Sequence, residues 1–211
     1  MDYNEAFIKG KEKIARVFKD RKHEQGTDQR VPPGQTLTQG FPVLDLGVKP
    51  NFDSDTWRLH VYGLVEKEQH FTYNDLLTMP STSLTADFHC VTRWSKLDVK
   101  WKGVLFKDFV ALVKPKEAWK CLIQEGMDGY TTNVPRKDLE CDNVLLAYEL
   151  DGKPIPREHG WPLRMIIPHL YGWKGSKFLN GLKFTDNDEP GFWEVRGYHN
   201  HGDVLKEERY S

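Results

Sequence analysis

Apolar and polar positions alternate through much of the chain, and the alternation predicts strands. In WRLHVYGLV (57–65), Trp57, Leu59 and Val61 alternate with polar neighbours, the pattern of a half-buried strand. TSLTADFHC (82–90) alternates again and ends on Cys90. WKCLIQEG (119–126), NVLLAYELDGKPI (143–155, turning at Asp151 and Gly152), PLRMIIPH (162–169) and KFLNGLKFTD (177–186) are further candidate strands. Helices are few and short. TYNDLLTMP (72–80) predicts one, with Thr72 as N-cap and Pro80 as stop, and GVLFKDFVALV (103–113) reads as a strand end feeding another. Strands and helices do not alternate as βαβ units, so the fold class is α+β, sheet-rich and mixed.

The first 25 residues have a different pattern. Ala6, Phe7, Ile14, Val17 and Phe18 recur at roughly helical spacing among Lys, Arg and Glu, which predicts an amphipathic arm docked as a terminal helix. QGTDQRVPPGQ (25–35) follows as a connector in which Pro32 and Pro33 exclude regular helix. The expected organisation is an arm over residues 1–32 and a catalytic domain over 33–211.

Composition narrows the function classes. A chain of 211 residues can bury a core without covalent staples, and its three cysteines, Cys90, Cys121 and Cys141, are odd in number with no CxxC pair. A reducing, cytoplasmic setting is the expectation, since the N-terminus is charged throughout and no run approaches the ~20 apolar residues of a membrane span. A formal net charge of −1 excludes the global basic field of a nucleic-acid binder. Seven tryptophans exceed what a minimal core needs, which suggests that some line a pocket.

Three stretches carry candidate chemistry. In DFHCVTRWS (87–95) Cys90 stands at a strand end beside His89 and Arg93, whose positive charge would favour the thiolate that attacks electrophiles and binds metals. EHGWPLRMIIPHLYGWKGSK (158–177) gathers His159, Arg164, Lys174 and Lys177 with Gly160, Gly172 and Gly175. Exposed loop amides beside lysines and a forked guanidinium suit a phosphate or another multiply charged anion. PGFWEVRGYHNHGD (190–203) packs Phe192, Trp193, Arg196, Tyr198, His199 and His201 together, a composition suited to gripping a small polar substrate. These residues alone leave two other readings open. One is a thiol enzyme with Cys90 as nucleophile and His89 or His199 as base, although His89 on a strand would face away from its neighbour. The other is a non-catalytic phosphate- or nucleotide-binding module.

DFHCVTRWS, HGWPLR with YGWKGSK, and PGFWEVRGYH together resemble, in order, the molybdenum domain of the sulfite oxidase-like oxidoreductases, from about Pro33 to the C-terminus. The resemblance implies a mononuclear molybdenum held by molybdopterin and by one protein thiolate, which falls on Cys90. It implies cofactor contacts at His159 and Arg164, at Gly175, Ser176 and Lys177, at the neighbouring Lys174, and at Asp45 in QGFPVLDLG. Arg93 and Tyr198 become candidate catalytic residues, and Trp94, Trp193, Arg196 and His199 the candidate substrate lining. The implied activity is transfer of one oxygen atom to or from a small oxyanion, sulfoxide or N-oxide, completed by a separate electron-transfer partner. Two features depart from relatives: Ser95 stands where animal and plant sulfite oxidases carry a sulfite-binding arginine, and CVTRWS looks like the CVEAWS of the methionine-sulfoxide reductase branch with Thr92 and Arg93 exchanged in.

Overall fold

In the computed structural model, which describes residues 3–18, 23 and 28–211, the chain runs from a helix α1 (Glu5–Phe18) through β1 (Thr36–Leu37), β2 (Leu59–Gly63), β3 (Gln69–Phe71), α2 (Tyr73–Thr78) and β4 (Thr82–His89). It continues through β5 (Trp94–Leu105), α3 (Phe106–Val113), β6 (Cys121–Gly126), β7 (Thr131–Pro135) and α4 (Arg136–Leu139) to β8 (Leu145–Leu150), β9 (Lys153–Pro154), β10 (Arg164–Ile166) and β11 (Leu179–Thr185). Parts of the expected arm and connector, residues 19–22 and 24–27, lie outside the described residues. Among those described, no helix is long and apolar enough to cross a membrane.

The strands form two mixed sheets. One has the order β1-β5-β8-β10, with β4 added on β5 and β9 on β8; the other has the order β3-β2-β11-β6-β7. The alternation in the sequence decides which face each strand buries. Leu59 and Val61 of β2, Leu182 and Phe184 of β11, Val104 of β5 and Leu146 of β8 meet in one core with Phe106 and Phe109 of α3. The opposite face of the first sheet carries a second apolar layer, with Val99, Trp101, Leu145, Ala147 and Ile166. The unbroken apolar run in β8 is explained by this double burial.

Local signals decide the short elements. Thr72 caps α2 through a capping box: its hydroxyl accepts from Asp75 N at 3.0 Å while the Asp75 carboxylate accepts from Thr72 N at 2.7 Å. The short β1 and β3, most of β5 and all of β7 escape the pattern analysis. The twelve-residue β5 is interrupted because Asp98 takes a positive φ of 55° opposite the irregularity between Ala86 and Phe88 in β4. Arg30 pins that irregularity, donating to Asp87 at 2.6 and 3.0 Å and to Asp98 at 2.7 Å. β7 is missed because Thr131, Thr132 and Asn133 carry no apolar alternation, although Thr132 and Asn133 are buried.

Two polar clusters tie the C-terminal loops to this frame. Lys174 is fully buried, and its ammonium donates to Glu194 Oε1 at 2.6 Å, Asn133 Oδ1 at 2.8 Å and Asn200 O at 2.8 Å. Glu194 Oε1 also accepts from Thr132 Oγ1 and Trp173 Nε1. In the second cluster Asp138 stands 3.3 Å from His169 and 3.1 Å from His201, and His201 Nδ1 meets Glu208 at 2.8 Å.

Lys174→Met is expected to destabilise the protein by about 3–5 kcal/mol in urea denaturation, because it leaves the Glu194 charge buried without a counter-charge. The His201 cluster gives a pH signature. Hydrogen bonding to Asp138 raises the His201 pKa above 6.5, so its stabilisation is complete below that pH and is lost as pH rises through the raised value. Burial would raise the Asp138 carboxyl, but bonds from His169 and His201 hold it well below 3.8, so its share is complete above 3.8 and is lost on acidification. The stability difference between wild type and His201→Asn should therefore peak between pH 3.8 and 6.5 and shrink on both sides.

Candidate active site

The β4–β5 hairpin turns over residues 90 to 93. Cys90 N donates to Trp94 O at 2.9 Å, Arg93 N donates to Cys90 O at 3.0 Å, and Gln35 Nε2 reaches Cys90 O at 3.0 Å. Both backbone groups of Cys90 are thus held by a rigid sheet, and its sulfur lies 3.1 Å from Thr92 Oγ1 at the edge of a cavity. The cavity encloses about 840 Å³ of empty space, its open mouth included. Phe88 and Trp94 line it from the hairpin, and Phe41, Leu44 and Asp45 from the segment before β2. His159, Arg164, Gly175 and Lys177 form a cationic wall, Asp128 and Tyr130 come from the β6–β7 turn, and Trp173, Trp193 and Tyr198 close an aromatic side. Phe7 and Lys11 of α1 complete the lining.

The cationic wall is built from burial. Arg164 is 1 % exposed, its guanidinium lies 5.2 Å from the Phe88 ring and 5.3 Å from Trp101, and Nη1 donates to His159 O at 2.9 Å. Burial draws its pKa down to about 10. Lys177 donates to Leu44 O at 2.9 Å and Glu158 O at 3.0 Å, and burial followed by repulsion from Arg164 brings it down to about 8. His159, packed on Phe41 at 4.5 Å, is pushed down to about 4 by burial and then by both cations, so it is neutral at physiological pH. Asp128 is pushed up to about 6 by burial. Gly160 permits this crowding: it holds a φ of 109°, and a side chain there would meet Lys177 Cβ at 2.9 Å.

Several expected site residues sit elsewhere. The ammonium of Lys174 has its three protons satisfied in the buried cluster and does not line the cavity. Ser176 is also outside the lining; its amide donates to Gln124 Oε1 at 2.9 Å and its hydroxyl to Lys177 O at 3.0 Å. The loop amides of Lys174, Gly175 and Ser176 bond within the protein, so the anion-binding capacity lies in side chains rather than in exposed backbone. Arg93 takes the left-handed position of the hairpin, φ 74°, which sends its guanidinium to the Phe18 ring at 5.9 Å and out of the lining. Arg196 donates to Phe192 O at 2.7 Å and pairs with Glu12 at 3.3 Å, and His199 accepts from the amides of His201 and Gly202; neither lines the cavity. His89 faces away from Cys90 and meets Ser95 Oγ at 2.8 Å. The other three-residue group of potential metal ligands among the described residues, His60, Glu68 and His70, lies on the β2–β3 edge.

The cations that act on the Cys90 sulfur are therefore Lys11 and Lys177 rather than His89 and Arg93. Burial pushes the thiol up despite them, and a bound metal cation would reverse that balance and fix the thiolate. Sequence reasoning missed Lys11, Asp128, Tyr130 and Trp173. One signal could have found Lys11: it shares the inward face of α1 with Phe7, Ile8 and Ala15, an odd place for a charge.

The lining fits a metal-bearing pterin on three grounds. It offers a soft thiolate donor. It holds two cations, the buried Arg164 and the part-buried Lys177, with no carboxylate in ion-pair contact among the described residues. And two donors in it, Arg164 Nε and Trp94 Nε1, are buried with no acceptor in the protein.

Comparison with known proteins agrees. The family described as "Oxidoreductase molybdopterin binding domain" matches residues 46–193. The uncharacterized oxidoreductase YuiH of Bacillus subtilis is 43% identical over 183 residues, covering 86% of this chain and 92% of YuiH. Mitochondrial sulfite oxidase of Rattus norvegicus is 28% identical over 207 residues, covering 79% of this chain but only 37% of its own length. The crystal structure of the sulfane dehydrogenase SoxCD from Paracoccus pantotrophus superposes with a TM-score of 0.62 at 25% identity, covering 69% of this chain and 42% of that one. Family match, fold and cavity chemistry converge: the chain belongs to the sulfite oxidase-like oxidoreductases, enzymes whose cofactor is molybdenum carried by molybdopterin.

Proposed function

We propose that the enzyme moves one oxygen atom to or from a small sulfur- or nitrogen-centred substrate. The observation that carries this reading is the meeting, in one cavity, of the Cys90 sulfur with Arg164 and Lys177, which lack a carboxylate in ion-pair contact among the described residues. When bound, the molybdenum cofactor supplies two-electron oxygen-transfer chemistry. Cys90 would hold the metal, and Arg164, Lys177 and His159 would hold the pterin and its phosphate. Asp128, raised to about 6, can accept a hydrogen bond or hold a proton near neutrality.

The substrate side belongs to Trp94, Trp193 and Tyr198. Tyr198 stacks on Trp193 at 4.9 Å, and burial pushes its phenol far up, so it stays a hydrogen-bond donor. These rings exclude water from the reacting centre. Electrons pass to or from a separate redox partner, and the three free cysteines suit a reducing, cytoplasmic setting. The residues from 33 onward carry the cofactor site, to which α1 adds a wall. A thiol-nucleophile mechanism finds no support, since the Cys90 thiol is pushed up and neither His89 nor His199 lines the cavity.

Cys90→Ser is expected to keep the fold and the pterin, to lose the sulfur neighbour of molybdenum in X-ray absorption, and to abolish turnover; full oxygen transfer by this variant would sink the proposal. Lys177→Ala removes one charge-assisted contact of about 1.5–3 kcal/mol and should lower cofactor retention, read as molybdenum and pterin per polypeptide after dialysis.

A further inference from the structure

The charged groups of the cavity fall into two sets. Lys177 is under the influence of Arg164, Asp45 and Asp128 as well as Cys90. Lys11 responds to burial and to Cys90 alone. Lys11 reaches the cavity that holds Cys90 from α1, a different element from those that carry the Arg164–Lys177 wall.

The helix is docked so as to hold that lysine in place. Asn4 N donates to Leu46 O at 2.9 Å, Tyr3 packs edge-on to Phe192 at 5.7 Å, Phe7 packs edge-on to Trp193 at 6.4 Å, and Glu12 pairs with Arg196. Phe7 and Lys11, one turn apart, then share the face that lines the cavity. A lysine on such a face ordinarily pairs with an acid or snorkels to water. Here Lys11 lines the cavity, its ammonium stands 5.3 Å from the Phe7 ring, and no acceptor of the described residues lies within hydrogen-bond distance.

We propose that Lys11 is a substrate-binding residue, which holds a small oxyanion in the cavity that Cys90 edges. This rests on the oxygen-transfer reading and narrows it to anionic substrates over neutral sulfoxides and N-oxides. The residue at position 95 supplies no such charge, because the Ser95 side chain is buried against His89. Lys11 lies outside the stretch of residues 46–193 that matches the family.

Titration calorimetry of the holoenzyme with sulfate, an unreactive oxyanion, tests the assignment. Wild type should bind sulfate, Lys11→Gln should bind it about 10-fold more weakly or worse, and Lys11→Arg should restore most of the affinity, all at equal molybdenum and pterin content. In steady state with sulfite, Lys11→Gln should raise KM far more than it lowers kcat. The proposal is overturned if Lys11→Gln binds sulfate as wild type does, if wild type binds none, or if the variant loses cofactor, which would move Lys11 to the pterin end. The parent reading fails separately: a wild-type protein that carries no molybdenum sinks oxygen transfer, while Lys11-dependent sulfate binding would stand.

Discussion

Lys174 and Glu194 form an ion pair with 0% and 1% of their side chains exposed, and the cavity walls depend on it. Lys174 belongs to the loop that presents Trp173, Gly175 and Lys177; Glu194 belongs to the turn that presents Trp193 and leads to Tyr198. Neither loop is part of a sheet, and each would otherwise be free to drift against β6 and β7. The pair joins them, with Asn133 and Thr132 of β7 adding hydrogen bonds to Lys174 and to Glu194 Oε1. Gln124 of β6 holds the same loop from below, donating to Lys174 O and accepting from Ser176 N. A charge pair this deep is a costly way to add stability, but it sets the position of two loops against one another with little freedom.

That pair also separates two kinds of buried cation. Lys174 is matched by a carboxylate and by two further acceptors, and so has nothing left to offer a ligand. Arg164 is matched only by a carbonyl and two aromatic faces, and Lys177 by two carbonyls. The lowered pKa of Arg164 records the cost of burying positive charge, and that of Lys177 records burial and the repulsion of Arg164, partly offset by Asp45 and Asp128. Such an arrangement is stable in the long term when an anion completes it.

Much of this was legible in the sequence, and the reason is the strand pattern. Alternation in 82–90 put Cys90 at the end of a strand, and the apolar run of 165–167 placed Arg164 at the start of a rigid strand, with Lys177 in the loop beyond it. Spacing could not say where side chains point. Lys174 and Lys177 are three residues apart in one loop, yet one is locked in the interior and the other faces the cavity. Arg93 looked like a partner for the sulfur because it is near in sequence, whereas the hairpin's left-handed turn sends it outward and Lys11, 79 positions upstream, takes the place. Long-range contacts of this kind depend on how α1 docks, and local periodicity carries no information about that.

The manner of that docking has a consequence for assembly. The helix α1 and the residues that lead into it are held by contacts that include one backbone bond, two edge-on ring contacts, the Arg93–Phe18 contact, an ion pair and the buried side chains of Ile8 and Ala15, and not by strand pairing. A wall that belongs to neither sheet would open at less cost than a strand. Lifting it would give a bulky heterocycle a loading door, and the role proposed for Lys11 would make the same segment both the retainer of that guest and the first contact of an incoming anion.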